Sequence, residues 1–194
     1  MRALLAFLIV LGLGASARAD ALRDAQAAYD RGRYATALEI WQPLAEQGNA
    51  DAQVGLGNLF LGGYGLARDD RAAMEWFRKA AEQGSTVGQF SFGSLYYGRK
   101  EFGAAATWYR RAAEQGHAVA QLRLGKMYAE GLGVDRDDVR AYKWFSIAAA
   151  RGADNYSRTN AQQGRNGIAG RMTPGQVTQA EKLAAAWMPK LERR

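Results

Sequence analysis

The chain has 194 residues, 48% of them hydrophobic and 23% charged, with a formal net charge of +7. That balance fits a globular protein with a sizeable core and excludes wholesale disorder. No Cys and a single His exclude a disulfide framework, Cys-ligated zinc, iron–sulfur clusters, thiol catalysis and a multi-His metal centre.

Arg2, the apolar run Leu4 to Gly14 and the small residues of Ala17-Arg18-Ala19 form the three-part pattern of a secretory signal. The run is short for a bilayer span, which takes about 20 residues. Cleavage is expected before Asp20, with residues 1–19 as the signal and 20–194 as one mature repeat domain. The uncleaved anchor is the alternative. Cleavage would remove Arg2 and Arg18 and lower the basic excess from seven to five. The expected location is periplasmic or secreted, without stable membrane insertion. The remaining basic residues are dispersed, with no stripe of the kind nucleic-acid binders carry, so no nucleic-acid partner is expected.

A degenerate unit at 22–48 comes next and ends in Ala-Glu-Gln-Gly. Pro43 falls inside its second predicted helix, where it should kink the helix or mark its last turn. Three closer repeats follow at 50–84, 86–116 and 118–152. Gln53, Gln89 and Gln121 correspond; so do Gly57, Gly93 and Gly125, and then Trp76, Trp108 and Trp144. The Gln anchors step by 36 and then 32 residues, the Trp anchors by 32 and then 36. The second repeat is therefore four residues shorter, and its deletion lies between Tyr97 and Trp108. A deletion confined to one place marks a turn between two helices.

Each half-repeat has the apolar spacing of an amphipathic helix, as in Ala52, Leu56, Leu59 and Phe60. The three Trp positions belong to helix packing rather than to a cofactor box. Gly84, Gly116 and Gly152 suit left-handed helix ends, and Asn49 and Ser85 suit the following N-caps, while His117 at the corresponding turn reads as a polar turn residue rather than a catalytic base. In the tail, residues 153–194, Asn166-Gly167 marks a turn or weak spot. Thr173, Pro174 and Gln176 then have capping-box spacing at the start of a last helix.

These repeats resemble the Sel-one-like repeat family, a branch of the tetratricopeptide-like helical repeats. The third carries the pattern most fully, in Ala118, Ala120, Gln121, Leu124, Gly125, Tyr128, Gly131, Gly133, Val134, Asp138, Ala141, Trp144, Phe145, Ala148, Ala149 and Gly152. The resemblance implies an all-α fold, a right-handed α-solenoid of antiparallel helix pairs, closed by the tail as a cap. It implies protein–protein contact, often in exported bacterial proteins, and no single activity. By analogy with related repeats, the first helix of each pair lines a concave groove. The expected groove residues are Val54, Asn58, Leu61, Phe90, Ser94, Tyr97, Leu122 and Lys126, with Phe90 and Tyr97 as anchors.

The search for chemistry yields little. No nucleophile elbow, Ser-x-x-Lys, Walker loop or His-Glu-x-x-His occurs. Gly63-Tyr64-Gly65 and Gly131-Leu132-Gly133 read as inter-helix turns rather than phosphate loops. Asp69-Asp70 and the cluster Asp135, Asp137 and Asp138 read as N-caps rather than calcium ligands. The expectation is a non-enzyme without cofactor or metal that binds a protein partner. Two alternatives stand beside it: a cell-wall or polysaccharide-associated structural protein, and a β-lactamase-like hydrolase of the kind described among Cys-rich relatives.

Overall fold

The computed structural model describes residues 14–152 and 154–190. Arg2 and all of the apolar run except Gly14 lie outside the described residues. Ten helices and no strand occur among the described residues. They are α1 (Ala15–Asp30), α2 (Tyr34–Glu46), α3 (Ala50–Gly62), α4 (Asp70–Glu82), α5 (Thr86–Gly98), α6 (Phe102–Glu114), α7 (Ala118–Glu130), α8 (Asp138–Arg151), α9 (Asn155–Ala169) and α10 (Pro174–Ala185). Chain neighbours pack as helix pairs, the adjacent-helix arrangement of an α-solenoid. Helix α1 runs unbroken through Ala17, Arg18, Ala19 and Asp20.

The chain divides into two compact units, the first ending at Gly88 and the second beginning at Gln89. In the first, α1 packs on α2 and α3, α2 on α3, and α3 on α4. Its core joins Ala25 and Ala28 of α1, Trp41 and Leu44 of α2, and Leu56 and Leu59 of α3. In the second, α7 packs on α6, α8 and α9, and α8 also receives α9 and α10. Its core runs from Ala105 and Tyr109 through Leu124, Trp144 and Phe145 to Ile168 and Trp187. Burying an aromatic side chain such as Phe145 contributes about 1.5–3 kcal/mol.

The repeat anchors have a steric cause. A Cβ on Gly57 would lie 2.5 Å from the Phe77 ring, one on Gly125 2.9 Å from Phe145, and one on Gly93 3.0 Å from Tyr109. Each repeat thus seats the aromatic that follows its Trp against a bare stretch of its own first helix. The Trp residues themselves differ. Trp144 is buried, whereas Trp76 and Trp108 are half-buried beneath Lys79 and Arg111, 4.2 and 4.7 Å from the ring centroids.

The four-residue deletion is a shortened turn. Residues 63–69 and 131–137 join the helices of the first and third repeats, whereas residues 99–101 suffice in the second. The longer turns close alike, with Asp69 N–H donating to Phe60 O and Asp137 N–H to Tyr128 O, both at 2.9 Å. In the short turn Lys100 takes the left-handed conformation, φ 62°.

Asn49, Ser85 and His117 all cap helices, accepting from the N–H groups of Ala52, Gly88 and Ala120. Such caps contribute about 1 kcal/mol each. Thr173 and Gln176 form the complete capping box, with Pro174 in the first turn. Pro43 sits in the last turn of α2, where it removes the one N–H that would have met the Glu39 carbonyl. Two expectations need correction. Gly48, Gly84 and Gly116 are left-handed, but Gly152 has φ −58°. Asn166-Gly167 does not interrupt α9, because Ile168 is buried in the core and holds the last turn in place.

Candidate functional site

The expected groove residues divide between the two units. In the first, all three lie on α3. Val54 is buried, while Asn58 and Leu61 are half-buried. In the second, Phe90, Ser94 and Tyr97 on α5 are half-buried, as is Lys126 on α7, whereas Leu122 is only 1% exposed. Val54 and Leu122 are therefore core residues, which corrects the expected continuous apolar strip. Helix α7 is enclosed by α6, α8 and α9, and α3 by α1, α2 and α4. Val54 and Leu122 consequently meet other helices rather than solvent, whereas Phe90, their counterpart on α5, stays half-buried.

What remains in the second unit is a row of rings. His117 stacks on Phe90, with centroids 4.5 Å apart and planes 18° apart. Phe90 lies 5.6 Å from Tyr109, Tyr109 6.3 Å from Tyr97, and Tyr97 5.2 Å from Phe102, centroid to centroid. Tyr109 is the buried centre, and its hydroxyl lies 3.1 Å from Ser94 Oγ. Ser94 Oγ in turn donates to Phe90 O at 2.9 Å. Burial raises the Tyr109 pKa above the usual phenol range and lowers that of His117. At neutral pH the row is an uncharged aromatic surface on a hydrogen-bonded base. Tyr109, Phe102 and His117 were missed as members of this row. The clue to Tyr109 was that it alone carries a hydroxyl among the aromatics that follow each Trp, the others being Phe77 and Phe145.

No set of three or more His, Asp or Glu side chains among the described residues is arranged to hold a metal ion. Asp137 caps α8 through Arg140 N–H at 2.8 Å, and Asp138 pairs with Arg171 and Arg136. No helix among the described residues is long and apolar enough to cross a membrane.

A second feature of the second unit was not read from sequence. A cleft of about 530 Å³ opens between α6, α8 and α10, with Tyr128 of α7 at its base. Its lining comes from residues as far apart as Arg110 and Leu183, a pairing that no local motif could signal.

The family profile of the Sel1 repeat matches residues 50–85, 88–117 and 118–152, just over half of the chain. The chain belongs to the Sel1 repeat family. Proteins of this family are generally protein–protein interaction scaffolds and typically non-catalytic. Among solved structures, a Sel1 repeat protein from Oxalobacter formigenes is 37% identical over 65% of this chain and 97% of its own, with a TM-score of 0.58. A protective antigen present in uropathogenic Escherichia coli strains, which displays an SLR fold, is 31% identical with a TM-score of 0.47. That match covers 81% of this chain but only 42% of the antigen's length. No curated protein matches the chain.

Proposed function

We propose that this Sel1 repeat protein is an exported, non-catalytic scaffold or regulator that holds a segment of a partner protein. The observation that carries the reading is the row of half-exposed rings at Phe90 and Tyr97, set on the buried Tyr109. Aromatic anchors on a rigid base supply contact area at a small entropic cost, and such anchors dominate the energetics of protein interfaces. Lys126, half-buried in the same unit, would add a polar contact beside the anchors. Export rests on Arg2, the apolar run and the small residues Ala17 and Ala19, which together fit a signal peptide cleaved before Asp20. The location would be the periplasm or the exterior.

The test is in-cell crosslinking of the full chain, wild type beside a Phe90→Ala/Tyr97→Ala variant of matched helicity. Recovery of a protein by the wild type alone supports the reading. Equal recovery by both overturns the placement of the site.

A second reading, attachment to a cell-wall polysaccharide, draws on a different cluster. In the first unit Tyr34 and Tyr64 stack at 4.8 Å with Tyr29 edge-on to both, and Tyr64 is 40% exposed. Binding of purified cell wall that survives Phe90→Ala/Tyr97→Ala and fails in Tyr64→Ala would favour it.

A further inference from the structure

The cleft between α6, α8 and α10 has cationic walls. Arg110 donates from Nη2 to the Tyr128 hydroxyl at 3.0 Å, and the Arg140 guanidinium lies 5.6 Å over the Tyr128 ring. Lys143 is half-buried, with Nζ 4.6 Å from the Trp144 ring centroid. Two acids share the wall, and both are engaged. Glu114 pairs with Lys190 at 3.3 Å, and Asp137 caps α8 while pairing with Arg140 at 3.2 Å. No carboxylate of the described residues lies within ion-pairing distance of Arg110 or Lys143.

That arrangement carries an electrostatic cost. Burial depresses the Lys143 pKa; Glu114 offsets part of the effect, and the charges of Lys190 and Arg140 add to it. An ammonium held half out of water beside other cations is stabilised when an anion arrives. The Arg110 fork, which gives one Nη2 hydrogen bond to Tyr128, is shaped to receive a carboxylate. Apolar surface comes from two helices: Leu183 of α10, 42% exposed beside Gln179, and Trp144 of α8. Glu114 and Asp137 would repel a polyanion such as a nucleic acid.

We propose that this cleft is a second recognition site, which binds an acidic peptide segment. One Glu or Asp carboxylate lies between Arg110 and Lys143, and a neighbouring aliphatic side chain rests on Trp144 and Leu183. The site shares no residue with the ring row and does not depend on it.

The test is NMR titration of the full chain with acetyl-Leu-Glu-Leu-amide, with acetyl-Leu-Gln-Leu-amide as control. Saturable shifts are expected at the Trp144 indole N–H and the Leu183 methyls with the Glu peptide. The Gln peptide, and an Arg110→Met/Lys143→Met variant of unchanged Tm, should each weaken binding by at least about tenfold. The charge-preserving Arg110→Lys/Lys143→Arg pair should keep most of it, which a purely structural role for these residues would not predict. Equal shifts from both peptides, undiminished binding by the Met variant, or no saturable shift at all would overturn the proposal. So would displacement of the peptide by inorganic phosphate at concentrations where acetate has no effect, since the cleft would then be a phosphoryl site.

Discussion

The His117 imidazole lies flat against the Phe90 ring while its Nδ1 accepts the Ala120 N–H at 3.2 Å. One side chain thus caps α7 and floors the row of rings, and the cap requires Nδ1 to be unprotonated. Burial lowers the His117 pKa below its ordinary value, so the unfolded chain takes up this proton more readily than the folded one. The contribution to stability is complete above the ordinary histidine pKa and is lost as the pH falls through the window beneath it. Between about pH 7 and about pH 5, wild type should therefore lose more Tm than His117→Asn. Asn keeps the cap, as Asn49 shows by accepting from Ala52 N–H at 2.9 Å, but does not titrate. Parallel losses in thermal melts at the two pH values would refute this account.

The buried glutamines form a relay with one missing link. Gln53 donates to Ala45 O at 3.1 Å and accepts from Gln83 at 2.7 Å. Gln89 likewise accepts from Gln115 at 2.8 Å. Gln121 donates to Ala113 O at 3.0 Å, yet its Oε1 finds no partner among the described residues. The cause is in the sequence: the residue matching Gln83 and Gln115 is Arg151, whose guanidinium lies 5.2 Å over Trp187 instead. Arg151→Gln should complete the relay. A satisfied buried acceptor is worth about 1 kcal/mol, against about 0.5–1 kcal/mol for the Arg–Trp contact. The net change in Tm is therefore small, but Gln121→Ala should become more costly in the Arg151→Gln background than in wild type. Equal costs in a double-mutant melting cycle would exclude the new bond.

Much of this fold was legible because repetition amplifies local signals. The deletion between Tyr97 and Trp108 located a turn, and Asn49 and Ser85 marked helix starts by position alone; that His117 caps α7 emerged only from its bond to Ala120 N–H. The anchors Gly57, Gly93 and Gly125 were visible as a pattern; that each admits an aromatic ring was not. Periodicity gives the face of a helix but not how far its neighbours wrap around it. Val54 and Leu122 were for that reason assigned to a surface and are core. Asn166-Gly167 favoured a break that the burial of Ile168 overrode. The cleft depended wholly on long-range packing, since Arg110, Tyr128, Lys143 and Leu183 stand on four different helices.

Two glycines in one turn separate backbone strain from steric overlap. Gly131 and Gly133 both have positive φ, 71° and 67°. A Cβ on Gly131 would find its nearest neighbour at 3.5 Å, whereas one on Gly133 would fall 2.2 Å from the Phe102 carbonyl carbon. Gly131→Ala should cost about 1–2 kcal/mol, the strain of the left-handed region. Gly133→Ala adds a clash with the backbone at the start of α6, which no rotamer change can relieve, and should lower Tm markedly further. Equal destabilisation in chemical denaturation would mean that this turn does not dock on α6 in solution.

Arg171 fastens the tail to the third repeat. From the turn before α10 it donates Nε and Nη2 to the two Asp138 carboxylate oxygens, at 2.7 and 2.8 Å, and Nη2 to Ala129 O at 3.1 Å. The Arg171 hydrogen bond is the chief reason that Asp138 has a lowered pKa, with Arg136 assisting. A depressed carboxylate contributes stability that is present above its unfolded pKa and lost as the pH falls through the folded one. Because Arg171 is itself 40% exposed, its removal should cost no more than about 1 kcal/mol at neutral pH. The sharper effect of Arg171→Met is local. Asp138 should titrate closer to an ordinary aspartate, and amide exchange in α10 should quicken while that in α7 does not. An unmoved Asp138 titration in carboxyl-detected NMR would show that Arg136 alone holds the charge and that the tail is fastened by Trp187 and Ala180 instead.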